Sequence, residues 1–192
     1  MLKKISEYCT KILVERGIIQ ETKARIYHYG FELFWSTFFC VICILLIGGI
    51  LGWLPETISF LLYFMPIRTF AGGYHAQSYR NCFLLTNLIA VSCIAVSKIM
   101  NVLAVSKLPI VIGAWILLVY IWAEAPVRFK KHPLKAEIIK KCRSYAHRVI
   151  LLEAIIFGWM YISNCNIVYI TAVTTYVVAV MLYIAVRKEE NV

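Results

Sequence analysis

A histidine and a cysteine lie seven positions apart in one short polar stretch, residues 68–82, which reads Arg-Thr-Phe-Ala-Gly-Gly-Tyr-His-Ala-Gln-Ser-Tyr-Arg-Asn-Cys. A thiolate attacks carbonyl carbon atoms, and an imidazole can remove the thiol proton and then protonate a leaving amine. On residue types alone, Cys82 could instead pack in a membrane helix, and His75 could be an interfacial histidine. The functional interpretation of the pair is acyl transfer from an amide bond, which needs neither a metal nor a cofactor.

The spacing of the pair limits how the backbone can run between the two side chains. In a continuous α-helix, His75 and Cys82 would be separated by about 10 Å along the axis, whereas proton transfer needs a contact of about 3 Å. We therefore expect a break in the helix between Gly72 and Ser78, where Gly72 and Gly73 give the backbone freedom to turn. A helix that begins near Ser78 would hold Cys82 in its first turns, where the positive end of the helix favours a thiolate.

Other polar side chains could assist this pair. Within the stretch, Gln77, Ser78 and Asn81 could orient the imidazole or donate hydrogen bonds to an oxyanion. Arg68 could bind a peptide carbonyl or carboxylate, or it could anchor to lipid phosphate groups instead. Three glutamates, each expected near the cytoplasmic end of a predicted span and level with His75 and Cys82, could hold the imidazole or a basic group of a substrate, or could each pair with a basic neighbour. These are Glu32, Glu124 and Glu153.

The composition indicates the environment in which this stretch must lie. Hydrophobic residues make up 61% of the 192 residues and charged residues only 16%, against ordinary shares of about 45–50% and about 25%. A chain of this size has too little interior to bury so much apolar surface in water, and the same numbers exclude disorder. We therefore expect an all-α integral membrane protein with a single domain over residues 1–192.

About six hydrophobic helical segments are expected. A spanning helix needs about 20 mostly apolar residues, and residues 33–53 meet this requirement without any charge. The second segment, residues 57–67, would measure about 16 Å as a helix, so it must recruit the polar stretch after it or be re-entrant. The motif Cys40-x-x-Cys43 lies inside the first segment and is interpreted as packing. The remaining four segments are residues 81–100, 108–123, 149–163 and 167–186.

Two basic regions lie outside the apolar segments. Residues 1–28 are predicted to form a cytoplasmic amphipathic helix, because apolar residues recur there at helical spacing among lysines and arginines. This helix would lie on the membrane surface or pack on the protein's own cytoplasmic face. Residues 126–148 are predicted to form a basic cytoplasmic loop, which either enforces the topology or captures an acidic tail of a substrate.

The distribution of basic residues predicts the orientation. The chain has 20 lysines and arginines and 10 acidic residues, so its formal net charge is +10. With a cytoplasmic N-terminus, only Lys98 and Lys107 fall outside, which satisfies the positive-inside rule. We therefore expect a multi-pass protein of the cell membrane in contact with lipids, with both termini and residues 68–82 on the cytoplasmic side. Basic cytoplasmic loops explain the positive charge, so no nucleic acid is expected as a partner.

The complete pattern of the polar stretch resembles the AgrB family, the accessory gene regulator proteins. The pattern is R-x-x-x-G-G-x-H-A-x-x-x-x-x-C, and its lettered positions are Arg68, Gly72, Gly73, His75, Ala76 and Cys82. The resemblance implies a membrane-embedded cysteine endopeptidase with His75 and Cys82 as its catalytic pair. It also implies that Arg68 supports activity and that the two glycines shape the site.

The same resemblance implies a role in bacterial quorum sensing. Family members remove the C-terminal tail of an AgrD-like precursor of an autoinducing peptide, hold the peptide as an enzyme thioester and promote its cyclisation. A homodimer is implied by the resemblance alone. Two other functions remain open at this point: a non-catalytic membrane carrier or exporter of a small peptide, and a structural partner in a larger membrane complex.

Overall fold

Helices make up the regular structure of the chain in the computed structural model, which describes residues 2–72, 79–127 and 136–190. No strand occurs in these ranges. A first helix, α1 (Leu2–Glu15), is followed by a short 3-10 helix at Glu21–Lys23. The longer helices are α2 (Ala24–Ile50), α3 (Leu54–Ala71), α4 (Tyr79–Val102), α5 (Lys107–Glu124), α6 (Ala136–Ile162) and α7 (Val168–Glu190). The predicted all-α class is confirmed.

Five of the described helices, α2 and α4 to α7, are long and apolar enough to cross a membrane. Helix α3 is not among them, although its 18 residues extend over about 27 Å. That length approaches the hydrocarbon thickness of about 30 Å. The all-α membrane fold is therefore as predicted, while length and composition identify five spanning helices in the described chain and do not confirm the sixth.

Helix α3 runs from one end of the helix bundle to the other. At one end, here called end A, Glu56 forms an ion pair of 2.6 Å with Lys98 in the last turns of α4. At the opposite end, end B, the Ala71 carbonyl accepts a hydrogen bond of 3.1 Å from the backbone N–H of Val127, just after α5. The short apolar run of residues 57–67 has thus recruited polar residues on both sides, which was the first of the two alternatives.

The loops after α4 and α6 lie together at end A. Lys107 Nζ donates a hydrogen bond of 2.9 Å to the Asn164 carbonyl, and the Tyr169 hydroxyl donates to the Val105 carbonyl. Since end A thus holds the start of α3, α5 and α7, successive helices from α2 to α7 alternate in direction. The start of α2 and the end of the described part of α7 therefore both lie on the side of end B.

Helix α7 is the central helix of the bundle. It packs against α3, α4, α5 and α6, and 72% of the residues in its most apolar stretch are buried. Its buried polar residues, Thr171, Thr174 and Thr175, donate hydrogen bonds of 2.7–3.0 Å to carbonyls of their own helix. Because these hydroxyls are satisfied locally, α7 can be buried without polar partners on its neighbours.

The N-terminal basic region consists of two helical pieces rather than one. Helix α1 ends at Glu15, and α2 already begins at Ala24, so residues 1–28 do not form one continuous helix. Ser6 and Thr10 on α1 are buried, and α1 packs closely against α2. Packing on the protein itself was one of the two alternatives for this segment.

The basic loop predicted for residues 126–148 is helical from Ala136 onward. Residues that are at least partly buried recur there at helical spacing, namely Ile139, Cys142, Ala146 and Ile150. One face of the basic segment can therefore pack on the bundle while its lysines and arginines stay exposed. The many charged residues between these positions led to the prediction of a loop instead of a helix.

Helices α2 and α3 approach closely at Gly48. A Cβ atom at this position would collide with the side chain of Thr57 and would lie 2.7 Å from its Cβ. Thr57 is fully buried and donates a hydrogen bond of 2.8 Å to the Trp53 carbonyl, so it has no free space to move into.

Gly48→Ala is expected to destabilise the fold by about 1–3 kcal/mol, the usual cost of overpacking. The measurement is thermal unfolding of the purified protein in detergent. Gly30→Ala is the matched control, because it lies on the same helix and a Cβ there meets nothing within 4 Å. Equal melting temperatures for the two variants would refute the close approach of α2 and α3.

Candidate functional site

The polar stretch connects α3 to α4 at end B. Helix α3 ends at Ala71, and Gly72 has φ +80° and ψ −158°, a conformation that favours glycine and stops the helix. The described part of helix α4 begins at Tyr79, so the predicted helix start near Ser78 stays a prediction. Four predicted site residues lie outside the described residues: Gly73, His75, Gln77 and Ser78. The contact between the imidazole and the Cys82 thiol therefore stays a prediction.

Cys82 lies in the first turn of α4, half-buried, and its thiol lies within electrostatic reach of the guanidinium of Arg68. Arg68 comes from the last turn of α3. Its Nη1 also lies 3.5 Å from the Met181 sulfur of α7, and its guanidinium carbon lies 5.5 Å from the centre of the Phe64 ring. The structure thus joins two residues of the pattern, Arg68 and Cys82, at the junction of three helices.

A second thiol lies beside this pair. Cys40 of α2 is buried and interacts electrostatically with both Cys82 and Arg68. The amide of Asn87 on α4 lies 3.4 Å from the Cys40 sulfur and donates a hydrogen bond of 2.8 Å to the Phe83 carbonyl. Asn87 therefore connects Cys40 to the helix that carries Cys82.

This arrangement suits a sulfur nucleophile. A guanidinium in contact with a sulfur atom stabilises negative charge on it, and the start of a helix does the same. Both effects are stronger in an apolar surrounding, where charges are poorly screened. The Arg68 guanidinium can therefore stabilise negative charge that develops on the Cys82 sulfur, and it can also donate hydrogen bonds to a carbonyl oxygen that Cys82 attacks.

The other described residues of the predicted site lie nearby at end B. The position of a Cβ on Gly72 is 3.6 Å from the Val127 Cβ, so the end of α3 packs on the segment after α5. Asn81 is exposed in the first turn of α4, and Glu124 is exposed at the last residue of α5. The supporting roles of both residues stay predictions.

Glu32 and Glu153 differ in their surroundings. Glu32 lies 3.6 Å from the His28 imidazole one turn earlier on α2. Of the two alternatives for this residue, the structure therefore favours pairing with a neighbouring side chain. Glu153 is buried and has no hydrogen-bond partner on either oxygen within the described chain. In the same residues, no three His, Cys, Asp or Glu side chains come together in a way that could hold a metal ion.

Glu153 lies deeper in the bundle than the sequence predicted. We expected it level with Cys82, because it follows closely on the predicted start of the fifth span. The His147 imidazole, however, lies 3.1 Å from the Trp122 carbonyl near the end of α5, and Glu153 follows six residues later, which is about 9 Å further along α6. It approaches Tyr63 on α3 instead.

Three residues of the site were not found from the sequence: Cys40, Asn87 and Met181. Cys40-x-x-Cys43 was interpreted as packing, and Cys40 is indeed buried. Its proximity to Cys82 depends on how α2 and α4 pair, which spacing along the chain does not reveal. The polar Asn87 inside an apolar span was the one available signal, because buried amides need partners.

Comparison with known proteins places these features in a family context. A family model described as accessory gene regulator B matches residues 5–184. An AgrB-like protein of Clostridium perfringens (strain 13 / Type A) is 31% identical over 142 residues, which is 73% of this chain and 72% of that protein. No solved structure matches the chain.

Proposed function

Because the chain belongs to the accessory gene regulator B family, whose members take part in quorum-sensing peptide processing, we propose that it is a membrane-embedded cysteine endopeptidase. Its substrate is an AgrD-like autoinducing-peptide precursor, from which it removes the C-terminal tail. The observation that carries the proposal is the proximity of the Arg68 guanidinium to the Cys82 thiol at the start of α4.

The reaction begins with attack by Cys82 on the carbonyl carbon at the cleavage site. His75 accepts the thiol proton and later gives it to the nitrogen of the departing tail, so that the C–N bond breaks and a thioester to Cys82 remains. Arg68 stabilises the thiolate before attack and the oxyanion after it. These roles divide proton transfer and charge stabilisation between two different residues.

The second half of the reaction releases the peptide from Cys82. A thiol or hydroxyl within the bound peptide attacks the thioester carbonyl, which closes a ring and returns the proton to the Cys82 sulfur. Such an attack is favoured over hydrolysis because the nucleophile belongs to the same molecule and acts at a very high effective concentration. Partial burial of Cys82 adds to this preference, because it limits the access of water to the thioester.

Co-expression with a candidate precursor in a host that lacks both proteins tests this function. Mass spectrometry should detect the released C-terminal tail and a peptide shortened by the same residues. A carrier without chemistry would leave the precursor intact in the cells or move it outside unchanged. An intact precursor in the presence of the correctly inserted protein would refute the peptidase.

The proposal puts end B, with the active site and both termini, on the cytoplasmic side of the cell membrane. Lys98 and Lys107 lie at end A, whereas the basic residues at the α3–α4 junction, in the first turns of α6 and in the last turn of α7 lie at end B. This distribution supports the assignment, since cytoplasmic segments carry the excess of basic residues.

Accessibility of introduced cysteines tests this orientation in a variant without native cysteines. A membrane-impermeant thiol reagent should label Ser163→Cys, exposed at end A, in intact cells. The same reagent should label Lys140→Cys, exposed at end B, only in opened cells or inverted vesicles. The reverse pattern would show that the orientation is wrong.

A further inference from the structure

A carboxyl group without a partner lies inside the helix bundle. Glu153 on α6 is 4% exposed, and neither of its oxygens has a hydrogen-bond partner in the described chain. Tyr63 of α3, also 4% exposed, lies within electrostatic reach of this carboxyl. The Tyr63 hydroxyl faces Thr175 of α7 but makes no hydrogen bond of good geometry.

The depth of Glu153 follows from its neighbour on α3. Tyr63 lies nine residues after Leu54 and eight before Ala71, the first and last residues of α3. It is therefore about 12–14 Å from either end of that helix, which corresponds to the middle of a hydrocarbon core of about 30 Å. The carboxyl beside Tyr63 is accordingly near the midplane of the membrane.

The other shielded carboxyl groups of the described chain have basic partners. Glu56 pairs with Lys98 at 2.6 Å, and Glu32 lies 3.6 Å from the His28 imidazole. Helices α3, α5 and α7 pack against α6, and Tyr63 of α3 interacts electrostatically with Glu153. Glu153 is thus the shielded carboxyl that lacks a compensating cation in this part of the chain.

The charge state of Glu153 decides whether this packing is stable. An ionised carboxylate without a partner is very costly in an apolar interior, and ionisable groups at this depth are rare and mark functional sites. Addition of one proton removes the charge and leaves a hydroxyl that can donate to a neighbour. Loss of the proton would require water to enter between α6 and α3.

We propose that Glu153, with Tyr63 beside it, is a proton-binding site at the membrane midplane whose occupation holds α6 against α3. The ligand is a single proton, exchanged with water that reaches the bundle interior when α6 moves. The site uses neither Cys82 nor Arg68, so it is independent of the proposed peptidase chemistry.

Modification by dicyclohexylcarbodiimide tests the proposal, because this apolar reagent reacts with protonated carboxyl groups in membrane interiors. The acid donates its proton to a carbodiimide nitrogen, the carboxylate adds to the central carbon, and rearrangement gives a stable N-acylurea. Peptide mass spectrometry of the full-length protein in lipid vesicles should locate this adduct on Glu153. The extent of modification should fall as the pH is raised, because the ionised form does not react.

Two variants provide matched controls for this labelling. Glu153→Gln should lose the adduct, whereas Glu56→Gln should keep it, because Glu56 is paired with Lys98 in the folded protein. Infrared spectra should also show a carboxylic acid C=O band that Glu153→Gln removes. The proposal is overturned by an adduct on another glutamate, by the absence of an adduct, or by labelling that does not change with pH.

Discussion

Replacement of Cys82 by alanine is expected to abolish precursor cleavage without preventing insertion into the membrane. The sulfur is the proposed nucleophile, and loss of a catalytic nucleophile lowers the rate by at least about three orders of magnitude. Cys82→Ser should be similarly inactive, because Arg68 and the start of α4 cannot make a hydroxyl as nucleophilic as a thiolate. Cleavage of a synthetic precursor by purified variants in lipid vesicles measures the effect.

The other cysteines of the chain provide the controls. Cys93→Ala is matched most closely, because Cys93 is buried on the same helix as Cys82 but outside the contacts of Arg68. Removal of all six remaining cysteines together should leave most of the activity, with any loss traced to Cys40 beside the site. Full turnover by Cys82→Ala would end the cysteine-peptidase proposal.

Replacement of Arg68 is expected to have the second largest effect. Arg68→Gln removes the cation beside the Cys82 sulfur and a donor for the oxyanion, and loss of one such donor typically costs about 10²–10³ in kcat. Arg68→Lys should restore little, because an ammonium lacks the planar fork of donors that reaches both Cys82 and Met181. The loss should appear in kcat more than in KM, since the charge it stabilises develops during the reaction.

Arg80→Gln is the control for Arg68. Arg80 is exposed in the first turn of α4, so its replacement removes the same charge from end B without touching the sulfur. We expect its cleavage rate to stay within a few-fold of the wild type. Equal rates for Arg68→Gln and Arg80→Gln would mean that Arg68 has no part in the chemistry.

The high apolar content and the placement of the basic residues outside the apolar segments predicted the class of fold. Both features reflect the free energy of transferring side chains from water into lipid. Apolar content along the sequence, however, predicted helix ends wrongly where a helix includes charged residues. Arg68 is within α3 because Cys82, Met181 and Phe64 surround its guanidinium. Glu56 is within α3 because Lys98 neutralises it. Hydropathy treats both residues as boundaries, since it contains no information about tertiary partners.

The candidate site was only partly predictable for a related reason. Arg68 and Cys82 belong to one contiguous pattern, so the sequence alone could associate them. Cys40 approaches them from α2 through pairing of helices that are distant in sequence. Glu153 was expected level with Cys82 because the predicted apolar segment starts at residue 149. Helix α6 is already helical at Ala136, so Glu153 lies several turns into the helix and deeper in the bundle.

Capture of the acyl-enzyme tests the central claim most directly. A precursor whose internal cyclising nucleophile is replaced by alanine can be cleaved but cannot resolve the thioester. After incubation with the wild-type protein in vesicles, peptide mass spectrometry should find the shortened precursor attached to Cys82 through a bond that hydroxylamine cleaves. Cleavage of the precursor with no adduct on Cys82, or with the adduct on another residue, would contradict the mechanism.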